Sequence, residues 1–210
     1  MKIAETVRFY CQDRNHVQNL NLIYDSSEPP READKQELIN YHKAKVYCAK
    51  LEFDFWQLLY NLWDETWGEA LKAWPALSAM RDEISEPELD GECIDFSVSF
   101  LLTPSFRKGK ETYLWLEVDY DCALRQINLD ASIWVGDSGA RALTSEKSTN
   151  FTLVEKRDYN FNRSAFSIDL FDKEEITPDE ISALRKSAEA MLRHLQNELG
   201  AVKDFVLKQI

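Results

Sequence analysis

The residues best suited to chemistry in this chain are concentrated in the segment 113–121, "YLWLEVDYD". Strict alternation makes it a strand, with Leu114, Leu116, Val118 and Tyr120 on one side and Tyr113, Trp115, Glu117, Asp119 and Asp121 on the other. Three carboxylates in a row beside two large aromatics admit three uses: a catalytic or metal site, a surface for a basic partner, or ordinary solvated sheet.

The metal reading asks for more than carboxylates. Clustered acids beside strands can hold Mg²⁺ for phosphodiester cleavage, and restriction-enzyme-like nucleases place an Asp on one strand and Glu-x-Lys on the next. Asp95 and Glu117 suit the first two parts, but Asp119 stands where the lysine belongs, so that family is not claimed. A glycosidase could use two of these acids, at a separation that one sequence does not show. Phosphate-loop, dinucleotide and nucleophile-elbow motifs are absent. Cys11, Cys48, Cys93 and Cys122, like His16, His42 and His194, are too scattered for a zinc site and read as reduced, partly buried thiols and isolated imidazoles. No cofactor and no metal is expected.

The neighbouring strands sharpen the acidic face. "CIDFSVSFLL" (93–102) alternates Ile94, Phe96, Val98 and Phe100 with Asp95, Ser97 and Ser99, and "QINLDASIWV" (126–135) alternates likewise. If the "CALR" turn pairs Asp121 with Gln126, apolar residues meet throughout one side. On the other, Asp119 faces Asn128, Glu117 faces Asp130, Trp115 faces Ser132 and Tyr113 faces Trp134. The same face-matching rule sets Asp95 beside Asp119 and Ser97 beside Glu117. The polar face then has an acidic end (Asp95, Glu117, Asp119, Asp130) and an aromatic end (Tyr113, Trp115, Trp134). Directly opposed like charges cost up to ~1 kcal/mol, so the Glu117–Asp130 opposition asks for a Lys or Arg from elsewhere in the chain, a bound cation or a partner's basic side chains.

Helices must support this sheet. From about Asp34 to Trp74 the chain is rich in helix formers, and Trp56, Trp63, Trp67 and Trp74 fall near one helical line flanked by Phe53 and Tyr60, with Gly68 not disturbing the phase. That stripe is read as a buried face packed on the sheet rather than an aromatic recognition groove. Residues 1–24 fit either a hairpin or a helical seam through Ile3, Val7, Tyr10, Arg14 and Val17, and the helix is preferred. "FTLVEK" and "AFSIDLF" supply two more strands. Thr177, Pro178 and Glu180 open a C-terminal helix with a capping box and an apolar seam of Ile181, Leu184, Ala188, Met191, Leu195, Val202 and Val206. The expected fold is α+β: an antiparallel sheet of about five strands, one face covered by the Trp-rich helix and the C-terminal helix. Residues 1–81 form a helical part, 82–92 an acidic linker and 93–210 the sheet with its last helix, together one compact domain.

Charge then selects among functions. The chain of 210 residues carries −12 at pH 7, concentrated in residues 51–100. The run 82–95, "DEISEPELDGECID", includes Glu86, Glu88 and Asp90 and no base. Such a protein repels nucleic acid and attracts basic protein surfaces. No signal-peptide h-region and no membrane-length apolar run is seen, so a cytoplasmic location is expected. The preferred function is a non-enzymatic acidic protein that binds, and as an inhibitor, immunity protein or nucleic-acid mimic blocks, a basic nucleic-acid-handling protein. Its surface would comprise Asp95, Tyr113, Trp115, Glu117, Asp119, Asp121, Asp130 and Trp134 with Glu86, Glu88 and Asp90. The alternatives are a metal-dependent hydrolase at the same carboxylates, and a structural or oligomerising module that exposes Trp56 or Trp63.

Overall fold

The computed structural model describes residues 1–13, 15, 29, 34–84, 93–102, 112–135, 152–153 and 158–208, with the backbone alone at residues 93, 112, 133–135, 152–153, 158–163 and 197–208. Helix α1 (Glu5–Gln12) resolves the N-terminal alternatives in favour of helix over its span. Its Val7, Tyr10 and Cys11 are buried, while the proposed seam residues Arg14 and Val17 lie outside the described residues. Helix α2 (Lys35–Trp63) starts at a capping box: Asp34 accepts from the Glu37 amide, and Glu37 accepts from the Asp34 amide at 3.0 Å. Leu51, Phe55, Leu58, Leu59 and Leu62 form its buried seam.

Beyond Trp63 the helix passes through one π turn, Asp64–Gly68, continues as α3 (Glu69–Leu71), and gives way to the short α4 (Pro75–Ser78). The expectation of undisturbed phase through Gly68 is therefore corrected. A π turn accommodates an extra residue and rotates the helix beyond it, so the four tryptophans do not share one line. Trp63 and Trp67 are buried at 4% and 0% exposure, while Trp56 and Trp74 only flank the core. Phe53, expected beside the buried stripe, is 61% exposed. Arg185 clamps the π turn from the far helix, donating to the Glu65 carbonyl oxygen and carboxylate, each at 2.7 Å.

The antiparallel sheet contains β1 (Arg81–Ile84), β2 (Cys93–Leu101), β3 (Thr112–Asp121), β4 (Gln126–Val135), β5 (Thr152–Leu153), β6 (Asp158–Arg163) and β7 (Ile168–Asp169). Their spatial order is β1-β2-β3-β4-β6-β5, with β7 pairing the Gln126–Ile127 end of β4. Two elements add to the expected sheet. The start of the acidic linker is an edge strand, Arg81 opposite Phe100. In addition β6, a polar run, lies inside the sheet between β4 and β5. Among the described residues of the two further strands read from the sequence, Thr152–Leu153 and Ile168–Asp169 pair.

One face of β2, β3 and β4 joins the helices in a single core that includes Phe96, Phe100, Leu114, Leu116, Val118, Tyr120, Ile127 and Leu129. Trp56 and Tyr60 stack at 5.1 Å and both meet Phe96 edge-on. The C-terminal helix α5 (Pro178–Lys208) contributes Leu184, Ala188, Met191, Leu192 and Leu195; the side chains of Val202 and Val206 lie outside the described residues. Its capping box forms as expected, with the Thr177 amide donating to Glu180 at 2.9 Å and the Glu180 amide to Thr177 Oγ1 at 3.3 Å. Thr177→Ala is expected to lower the unfolding free energy by about 1 kcal/mol, measured by urea denaturation. A change within error would show that the Glu180–Lys173 ion pair holds this end without the cap.

Candidate functional site

The face of β2–β4 opposite the helices carries the predicted acids, and every expected cross-strand pair is present: Asp95 with Asp119, Ser97 with Glu117, Glu117 with Asp130, Asp119 with Asn128, Trp115 with Ser132 and Tyr113 with Trp134. The reason is local. The four-residue turn after Asp121 sets the β3–β4 register, and alternation forbids a one-residue slip, which would drive Leu116 and Leu129 off the core side. Asp121 Oδ1 closes that turn by accepting from the amides of Ala123 and Leu124, both at 2.9 Å, and Arg125 completes it with φ 59°. Asp121 therefore has a structural task independent of any partner. Asp121→Ala is expected to cost about 1 kcal/mol through loss of this turn, a loss read from the unfolding midpoint.

The face is not a plane of solvated carboxylates. Asp119 is 3% exposed and Asp130 7%. Ser97, Ser99 and Asn128 beside them are also buried, while Asp95, Tyr113, Trp115, Glu117, Asp121 and Ser132 are half-buried. The described hydrogen bonds are local: Ser132 Oγ donates to Glu117 Oε1 at 3.0 Å, Asn128 Nδ2 to Asp119 Oδ2 at 3.4 Å, and the Ala131 amide to Asp130 Oδ1 at 3.0 Å. From the core side, Trp63 Nε1 and Trp67 Nε1 donate to the carbonyl oxygens of Leu116 and Glu117, each at 2.8 Å. The strand that carries the acids is thus held directly by the tryptophan helix.

Electrostatics single out Glu117. Burial first, and then the carboxylates of Asp130, Asp95 and Asp119, push its carboxyl up to about 7, against a smaller lowering by the Ser132 hydroxyl. A carboxyl that exchanges its proton near neutrality can serve as an acid–base group or be re-ionised by an arriving cation.

The strand missed in the sequence brings in a residue the sequence reading did not name: Arg163 of β6 stands opposite Asp130. The signal was the alternation of Tyr159, Phe161 and Arg163 in "DYNFNR", masked by asparagines that disfavour strands. Trp134 keeps its register position opposite Tyr113, with its side chain outside the described residues. Glu86, Glu88 and Asp90 also lie outside them, and Asp82 and Glu83 at the start of the same acidic run are exposed on β1. Among the described residues no group of three His, Cys, Asp or Glu side chains is arranged to hold a metal ion. Among them also, no helix is long and apolar enough to cross a membrane. Compared with known proteins, the chain matches no family model, no curated protein and no solved structure.

Proposed function

We propose that this is a non-enzymatic acidic binding protein whose β2–β4 polar face receives basic side chains of a nucleic-acid-handling partner and blocks it. The observation that carries the reading is the Glu117 carboxyl, raised to about 7 by burial and by three neighbouring carboxylates. An array in which negative charge is already costly gains most from a desolvated cation. Half-buried Trp115 and Tyr113 at the other end supply the aromatic contacts on which interface affinity commonly rests. Because Asp119 and Asp130 are buried, the partner's lysine or arginine reaches in past Asp95 and Glu117, and the deeper pair sets the potential it meets.

Partner capture at low and high salt is the direct test. Retention is expected to fall as salt rises, and Asp95→Asn with Glu117→Gln to weaken it about tenfold or more. Binding should also weaken as pH falls from about 8 to about 6, because the cation requires Glu117 ionised and protons compete for it. A partner indifferent to salt, to pH and to both substitutions would overturn the reading.

The same raised carboxyl favours a second reading, hydrolysis with Glu117 as acid–base group beside Asp130 and a divalent cation. Calorimetry with Mg²⁺ or Mn²⁺ tests it: heat that disappears in Glu117→Gln supports a metal-dependent enzyme, and no heat removes it. The oligomerising reading predicts a concentration-dependent mass with Trp56 or Trp63 exposed; Trp63 is buried and Trp56 half-buried beside Tyr60, and a mass independent of concentration would remove it.

A further inference from the structure

Helix α2 has a second apolar line on the side away from its core seam. Ile39, Val46 and Phe53 recur every seven residues, two turns apart, at 37%, 70% and 61% exposure. Isolated exposed hydrophobics are ordinary; three on one line along about 21 Å of helix are the spacing of a coiled-coil seam. Lys35, His42, Lys43, Ala49 and Lys50 share this outer face, all exposed, and between Lys35 and Phe53 no carboxylate stands on it. The nearest acid, Asp54, lies at its border and pairs with Lys50.

On the Lys50 flank the face opens into a cleft of about 570 Å³ between α1 and α2, lined by Arg8, Phe9, Gln12, Tyr47 and Lys50 and, at its α1 end, by Glu5 and Thr6. The Tyr47 hydroxyl and Arg8 Nε behind its wall are buried, and Arg8 pairs with Glu174 at 3.5 Å. Apolar line and cations therefore lie together.

We propose that the outer face of α2 docks an acidic amphipathic helix of a partner protein. The partner's apolar side chains pack along Ile39, Val46 and Phe53, and its flanking carboxylates meet Lys43 and Lys50. Charge decides against a second copy of the chain as occupant. In an antiparallel self-pairing centred on Val46, Lys50 of one copy meets His42 of the other and neither outer face offers an acid to pair with Lys35 or Lys43, whereas a carboxylate-flanked helix does. This surface is separate from the acidic sheet face and opposite to it in sign.

The test uses the full chain and two labelled four-turn synthetic helices with identical leucine seams, one flanked by glutamates and one by lysines, monitored by fluorescence anisotropy. The glutamate peptide is expected to bind about tenfold or more tighter than the lysine peptide. Val46→Glu with Phe53→Glu should abolish that binding, and Lys43→Gln with Lys50→Gln should remove the preference for glutamate flanks. All four positions are exposed, and an unchanged unfolding midpoint confirms that the variants fold. Equal affinity for the two peptides, or binding to neither, overturns the proposal. So does a concentration-dependent mass that Val46→Glu abolishes, since the occupant would then be a second copy.

Discussion

Trp67→Ala is expected to lower the unfolding free energy by about 3–5 kcal/mol, a large share of the ~5–15 kcal/mol that holds a domain folded. The indole is fully buried, 0% exposed, and its N–H donates to the Glu117 carbonyl oxygen at 2.8 Å. Alanine would leave a cavity between the π turn and β3 and remove a hydrogen bond to the strand that carries the acids. Trp67→Phe fills most of the space and should cost less, about 1–3 kcal/mol. Phe53→Ala, an aromatic on the same helical stretch but 61% exposed, should stay within about 0.5 kcal/mol of the parent. Urea denaturation of the three variants separates the buried face from the outer one. Equal losses for Trp67→Ala and Phe53→Ala would contradict the placement of both residues.

Glu117→Gln should act in the opposite direction and stabilise the protein above neutral pH. The folded carboxyl holds its proton to about 7, against an ordinary value of 4.5. Between those values the folded state binds more protons than the unfolded one, so this group makes stability fall as pH rises from about 4.5 to about 7. Above that range the cost is fully present, at most ~3 kcal/mol; below it the cost is gone. The amide keeps an oxygen for the Ser132 hydroxyl, now at 3.0 Å, and carries no charge. The variant is therefore expected to gain about 1–3 kcal/mol at pH 8 and less than ~1 kcal/mol at pH 5, read as the difference between urea midpoints at the two pH values. A loss at pH 8 would mean that the ionised carboxylate is already neutralised within the chain.

These two variants also bear on function. The same repulsion that Glu117→Gln relieves is what an incoming lysine or arginine would relieve on the binding reading. A variant that is more stable and yet binds less well is the signature of negative charge held for a partner rather than for the fold.

Local periodicity determined much of this protein. Alternation in 93–102, 113–121 and 126–135, with a turn of fixed length after Asp121, is enough to state which residue faces which, because a slip of one would exchange the core and polar sides. The capping box at Thr177 and Glu180 was equally legible, since it depends on four consecutive residues. Tertiary structure alone decided the rest. The π turn over residues 64–68 is accompanied by packing against α5 and the Arg185–Glu65 contacts, partners 120 positions apart in sequence. The insertion of β6 between β4 and β5, which sets Arg163 against Asp130, is a long-range pairing: alternation in 158–163 marks a strand but does not say which strands it joins. Burial of the acidic face was likewise beyond the pattern: alternation assigns Asp119 and Asp130 to a side of the sheet, but only the assembled fold decides how much water that side sees, and so how costly their charge is to Glu117.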